Sequence, residues 1–128
     1  MSKFTLNSVE MANIIVRAEE REVISALSSL IEGKARATLA EPGATFNVGL
    51  SGGSLAKFLC AGLPAITTDW ARWRLFFCDE RLVEEESPDS TWGVYRAGLL
   101  QVTPLTADQF LTVDTSLEPP AAARDYQV

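Results

Sequence analysis

Four short segments rich in β-branched or aromatic residues alternate with helix-patterned stretches along this chain, and that alternation limits its fold more than any other feature. Ala12-Asn13-Ile14-Ile15-Val16-Arg17, Phe46–Leu50, Trp73–Cys78 and Phe110–Val113 read as strands. After the first of them, Glu19, Glu20 and Glu22 favour a helix start through the dipole. Val23, Leu27, Leu30, Ile31, Ala35 and Leu39 recur at helical spacing, predicting an amphipathic helix to about Ala40 that Glu41-Pro42-Gly43 stops. Leu55–Leu63 reads as a shorter helix with Ser54 as its N-cap and Pro64 past its end. Asp89 or Ser90 can cap a third through Leu100, and Glu118-Pro119-Pro120 opens a last one. Strands separated by helices imply crossover connections and hence an α/β fold on a parallel sheet. Residues 1–128 carry no repeat, low-complexity tract or linker and read as part of one domain.

Ligands of such sheets bind beyond the carboxyl ends of the strands. Two polar loops fall at that edge: Ser51-Gly52-Gly53-Ser54 after the second strand, and Asp79-Glu80-Arg81 after the third. In the first, glycine lets the backbone approach a ligand and a helix N-terminus offers N–H groups to an anion. A strand-to-helix turn also needs glycine whatever it binds. The loop lacks the ending of a Walker motif and the spacing of a dinucleotide fingerprint. Gly49-Leu50-Ser51-Gly52-Gly53 matches the nucleophile elbow G-x-S-x-G, but that reading needs a histidine base and the chain has no histidine. In the second loop, Arg81 has the planar fork that holds phosphate, and Asp79 can orient it or accept sugar hydroxyls. The plainer alternative is a solvated loop with an internal salt bridge. Pro88-Asp89-Ser90-Thr91-Trp92 by itself is a helix start, and Trp73, Trp92 and Tyr95 are expected to pack in the core or at its rim.

A formal charge of −6, with 11 basic residues scattered along the chain, argues against nucleic acid as a partner. A small anion needs only a local cluster of donors. Apolar runs such as Leu75–Cys78 are far too short to span a bilayer, and Met1-Ser2-Lys3-Phe4 does not open a secretory signal. A cytoplasmic location without membrane attachment is the expectation. Cys60 and Cys78, both in apolar runs, are expected to be reduced, buried thiols. Without histidine, no metal site is expected.

Three of these stretches in register resemble the 6-phosphogluconolactonase family. They are Leu50-Ser51-Gly52-Gly53-Ser54, Phe77-Cys78-Asp79-Glu80-Arg81-Leu82-Val83 and Asp89-Ser90-Thr91-Trp92-Gly93-Val94-Tyr95-Arg96. The resemblance implies a parallel-sheet αβα sandwich of the Rossmann-like type shared with glucosamine-6-phosphate deaminases. It implies hydrolysis of 6-phospho-D-glucono-1,5-lactone to 6-phosphogluconate, in the pentose phosphate pathway, with no cofactor. It assigns Ser51, Gly52, Gly53 and Ser54 to the phosphosugar site, with Arg81 on the phosphate and Asp79 beside it. Leu55 stands where many relatives have Thr-Pro, and Thr91 where Asn is frequent.

The family's histidine, which activates the attacking water, belongs to a later Gly-x-Asp-Gly-His-Thr segment that these 128 residues do not contain. The chain therefore reads as the N-terminal half of such a domain, an incomplete sandwich with no catalytic residue of its own. A deaminase-like enzyme, with Asp79 as proton-moving base, is the nearest alternative; Arg81 disfavours it, because deaminases usually carry tyrosine there. A non-catalytic phosphosugar-binding fragment is the other.

Overall fold

The computed structural model describes residue 14 and residues 16–127. Three parallel strands, β1 (Phe46–Leu50), β2 (Trp73–Phe77) and β3 (Phe110–Leu111), lie in the order β1-β2-β3. Phe46 to Leu50 pair with Trp73 to Phe77 in step, and Leu75 and Phe76 pair with Phe110 and Leu111. The α/β, parallel architecture is thus the one the alternating pattern implies.

Side chains along β2 alternate across the sheet. Trp73, Leu75 and Phe77 are buried, whereas Arg74 and Phe76 are exposed. On the buried face lie α1 (Glu20–Leu39), α2 (Ser54–Gly62) and α3 (Thr91–Leu99), which contribute Ala35, Leu59, Tyr95 and Leu99 to a single core with those strand residues. The other face presents Asn47, Gly49, Arg74, Phe76 and Leu111, all exposed. A buried parallel sheet is expected to be covered on both faces. Among the described residues this one is covered by helices on one.

Each helix has a local cause. The Glu22 carboxylate accepts the Glu19 N–H at 3.2 Å, and Glu20 and Glu22 complement the dipole of α1. Arg72 ties off its far end, donating to the carbonyls of Leu39, Glu41 and Ala44 at 2.7–3.0 Å. Gly43 makes the turn there with φ of 80°. In α3 the Ser90 hydroxyl caps as expected, accepting the Gly93 N–H at 2.9 Å. A fourth helix, α4 (Pro119–Tyr126), begins with prolines at its open N-terminus.

Four expectations need correction. Of the strand 12–17, residues 12, 13 and 15 lie outside the described residues, and Ile14, Val16 and Arg17 have no strand conformation. Their β-branched character supports a strand only beside a pairing partner. Helix α2 starts at Ser54, one residue early, and its N-cap is Gly53 with no side-chain cap bond. The third pairing strand stops at Leu111 instead of Val113 because a tyrosine ends the ladder. The Phe77 N–H donates to the Tyr126 hydroxyl at 2.6 Å, and that hydroxyl donates to the Leu111 carbonyl at 2.9 Å. Cys78, expected to be buried, is exposed, since it follows Phe77 on the uncovered side of the sheet; Cys60 is half-buried, and burial pushes its thiol pKa up.

Candidate functional site

The in-step pairing of β1 and β2 brings their carboxyl ends level, and the Cys78 N–H extends the ladder to the Leu50 carbonyl at 2.9 Å. The loops that follow therefore leave the sheet side by side. Between them opens a cavity of about 570 Å³ lined by Ser51, Gly52, Gly53, Asp79 and Arg81, and on its far wall by Asp89, Ser90, Thr91 and Val94. Five of the six site residues expected from sequence line it. Ser54 does not: it is the first residue of α2, exposed and outside the lining.

The glycine loop has a conformation that its sequence dictates. Gly53 sits at φ of 66° and ψ of −144°, a region essentially closed to residues with a side chain. Its carbonyl accepts the N–H of Ala56 at 3.1 Å and of Lys57 at 3.4 Å, which starts α2. The N–H groups of Ser54 and Leu55 precede that first bond and have no acceptor among the described residues. With no side-chain cap, the positive end of α2 is open beside the cavity. Gly52 gives the other wall its closeness, because a Cβ there would lie 3.2 Å from the Thr91 hydroxyl.

Tyr95 fixes this loop from below. Its ring is fully buried in the core, and its hydroxyl donates to the Ser51 carbonyl at 2.6 Å. Burial is the main cause that pushes the phenol pKa well above its ordinary value, with the neighbouring Cys60 and Cys78 adding to it. Packing was the expected role for this residue. The structure adds the polar one.

The second loop divides its charges by direction. Asp79 and Arg81 line the cavity, and Glu80 turns away to α3. One Glu80 oxygen accepts the N–H groups of Arg81 and Thr91, both at 2.8 Å, and the other accepts that of Trp92 at 2.9 Å. The Arg81 guanidinium makes no hydrogen bond or ion pair among the described residues. The internal salt bridge of the plainer sequence alternative is therefore not formed, and a fork-shaped cation is left exposed at the cavity.

This donor set suits a phosphate group: an open helix terminus, glycine backbone and one arginine, with Asp79 and Asp89 as acceptors for hydroxyls. These 128 residues contain no histidine to serve as a base for Ser51. Among the described residues, no three His, Cys, Asp or Glu side chains are grouped to hold a metal ion. Sequence reasoning missed Glu80, Tyr95, Thr91 and Asp89 as parts of the site. For Tyr95 a signal was available, since it lies one helical turn beyond Thr91 on the same face of α3.

Fold and cavity together define an α/β protein whose main polar cavity lies at the carboxyl edge of a parallel sheet, beside a glycine-rich strand-to-helix turn. Residues 18–128 match the family model of the glucosamine-6-phosphate isomerases/6-phosphogluconolactonase, and the chain belongs to that family. It is 42% identical over 118 residues to the 6-phosphogluconolactonase of Bos taurus and 41% to that of Homo sapiens. Each alignment covers 88% of this chain and 46% of the relative, so the chain spans about half the length of the curated relatives it matches. Among solved structures, the 6-phosphogluconolactonase of Trypanosoma brucei is 26% identical with a TM-score of 0.70, covering 88% of this chain and 45% of that one. The Thermotoga maritima enzyme shares the fold with a TM-score of 0.71 at 24% identity, over 80% of this chain and 47% of its own.

Proposed function

We propose that this chain supplies the phosphosugar-binding part of a 6-phosphogluconolactonase, which hydrolyses 6-phospho-D-glucono-1,5-lactone to 6-phosphogluconate in the pentose phosphate pathway. The observation that carries this reading is the cavity where the open N-terminus of α2 and the unpaired Arg81 guanidinium meet. The phosphate would lie against the N–H groups of the Gly53–Leu55 turn, with Arg81 gripping it through its planar fork. Ser51 and Gly52 would contribute hydroxyl and backbone contacts, and Ser54 its N–H. Asp79 would accept hydroxyls of the sugar. The identities with 6-phosphogluconolactonases support this substrate class. A cytoplasmic site of action belongs to the same proposal, and no described helix is long and apolar enough to cross a membrane.

The chain's own residues bind and orient in this scheme. Attack of water on the lactone carbonyl needs a general base, and none of the cavity's side chains is a histidine. Calorimetric titration with 6-phosphogluconate, gluconate and glucosamine 6-phosphate tests the reading. Binding of 6-phosphogluconate with gluconate silent is the expected result. Equal affinity for gluconate would remove the phosphate site, and preference for glucosamine 6-phosphate would favour a deaminase-like specificity.

A further inference from the structure

Two helices point their N-termini at the cavity region, α2 and α3, and only one of them is open. The first four N–H groups of α3 belong to Thr91, Trp92, Gly93 and Val94. Glu80 takes the first two at 2.8 and 2.9 Å, the Ser90 hydroxyl the third at 2.9 Å, and the Ser90 carbonyl the fourth at 3.2 Å. A carboxylate on the end of a helix also offsets its partial positive charge. At α2 the N–H groups of Ser54 and Leu55 have no such partner among the described residues. The cavity is therefore asymmetric: Gly52 and Gly53 line it beside the open end of α2, and Asp79, Asp89, Ser90 and Thr91 line it with acceptors and hydroxyls.

We infer that Glu80 is the positioning residue that sets the direction in which a phosphosugar lies in this cavity. The inference rests on the phosphosugar reading above. By closing the N-terminus of α3, Glu80 leaves the phosphate one helix terminus to choose and directs the hydroxyl-bearing end toward α3. The same carboxylate holds the Arg81 N–H at 2.8 Å, so the turn that aims Asp79 and Arg81 is tied to α3 across eleven to twelve residues of chain. Glu80 touches no ligand in this scheme. It acts through Arg81 and through the helix it closes.

Glu80→Ala and the volume-preserving Glu80→Gln test this in the full chain, followed residue by residue by amide NMR. In the unmodified chain, inorganic phosphate should shift the amides of Gly53, Ser54 and Leu55 and leave Thr91 and Trp92 in place. In Glu80→Ala it should also shift Thr91 and Trp92, as a second anion site opens on α3. Simple loosening of the fold does not create such a site. Affinity for 6-phosphogluconate should fall about 3- to 30-fold in both variants as Arg81 loses its anchor. If Glu80→Ala does not fold, Glu80→Gln carries the test, because an amide can accept from only one of its two ends and must expose one α3 N–H. Unchanged phosphate shifts and unchanged 6-phosphogluconate affinity in a folded variant would overturn the inference. If the unmodified chain binds neither ligand, the functional reading fails. Glu80 is then judged by hydrogen exchange without ligand, where faster exchange at Arg81, Thr91 and Trp92 in the variants supports the clamp and unchanged rates overturn it.

Discussion

Replacing Gly53 by alanine separates backbone strain from side-chain contact, because a Cβ at that position meets nothing within 4 Å. The folded-state cost must come from φ of 66° with ψ of −144°. Holding a residue with a side chain in such a region costs about 1–3 kcal/mol. Alanine returns about 0.4–1 kcal/mol by restricting the unfolded chain. The net loss should be about 1–2 kcal/mol, or roughly 4–8 °C in Tm for a chain of this size. The backbone can instead relieve the strain by rotating, and the open end of α2 beside the cavity then turns away with it. Hydrogen bonds to a charged ligand are worth about 1.5–3 kcal/mol each, so 6-phosphogluconate affinity should drop at least about tenfold. Gly43, with φ of 80° in the turn after α1, is the control. Gly43→Ala should cost a similar amount of stability and leave affinity unchanged. Thermal unfolding with calorimetry on the two variants decides the matter. A Gly53→Ala chain that melts within about 1 °C of the unmodified one and binds as tightly would refute the reasoning.

Arg81→Ala should weaken 6-phosphogluconate about 10- to 150-fold in calorimetry, with Arg81→Lys recovering only part of the loss; unchanged affinity would take Arg81 out of the site. Tyr95, whose folded pKa is raised, contributes stability that is complete below its ordinary value of 10.0 and is lost as pH climbs above it. Denaturant midpoints should therefore fall above about pH 10, and less steeply in Tyr95→Phe; identical slopes would show that the phenol does not stay protonated in the fold. Phe76→Thr should reduce concentration-dependent association in sedimentation while leaving 6-phosphogluconate affinity intact, because Phe76 and its neighbour Leu111 are 39% and 44% exposed on the uncovered face. With Asp79 and Asp89 exposed and Glu80 occupied by three N–H groups, these 128 residues should bind the phosphosugar without hydrolysing the lactone above the buffer rate. Saturable turnover that Asp79→Asn abolishes would overturn that.

The parts of this fold written in local pattern were legible in the sequence. Phe46–Leu50 stands where its aromatic and β-branched residues put it, and β2 loses only Cys78 from its expected span. Where a distant residue decides, sequence reasoning fell short. The end of β3 depends on Tyr126, which lies 15 residues beyond Leu111 and reaches the ladder from α4. Ser54 is a good cap by type, yet the turn needs positive φ at Gly53, and that glycine takes the cap position. Cys78 looked buried because its neighbours are apolar, but alternation along β2 turns it to the uncovered side.

The same distinction explains how the site was read. Glycine loop and Asp79-Glu80-Arg81 could be placed at one sheet edge from strand order alone, and the level carboxyl ends of β1 and β2 bring five of the six expected residues to one cavity. Their division of labour needed coordinates, because three consecutive charges in a sequence carry no direction. Glu80 turns to α3, while Asp79 and Arg81 turn to the cavity. Every contact that fixes this arrangement comes from the covered side of the sheet or its carboxyl edge: Tyr95 to Ser51, Ser90 to Gly93, and Glu80 to Thr91 and Trp92. None involves Asn47, Arg74, Phe76 or Leu111 on the uncovered face. The cavity lining and the contacts that hold it are therefore built by β1–α2 and β2–α3, and in the proposed reading these units bind and orient the ligand without supplying a histidine base. That is why the proposed reading expects ligand binding by these 128 residues without turnover.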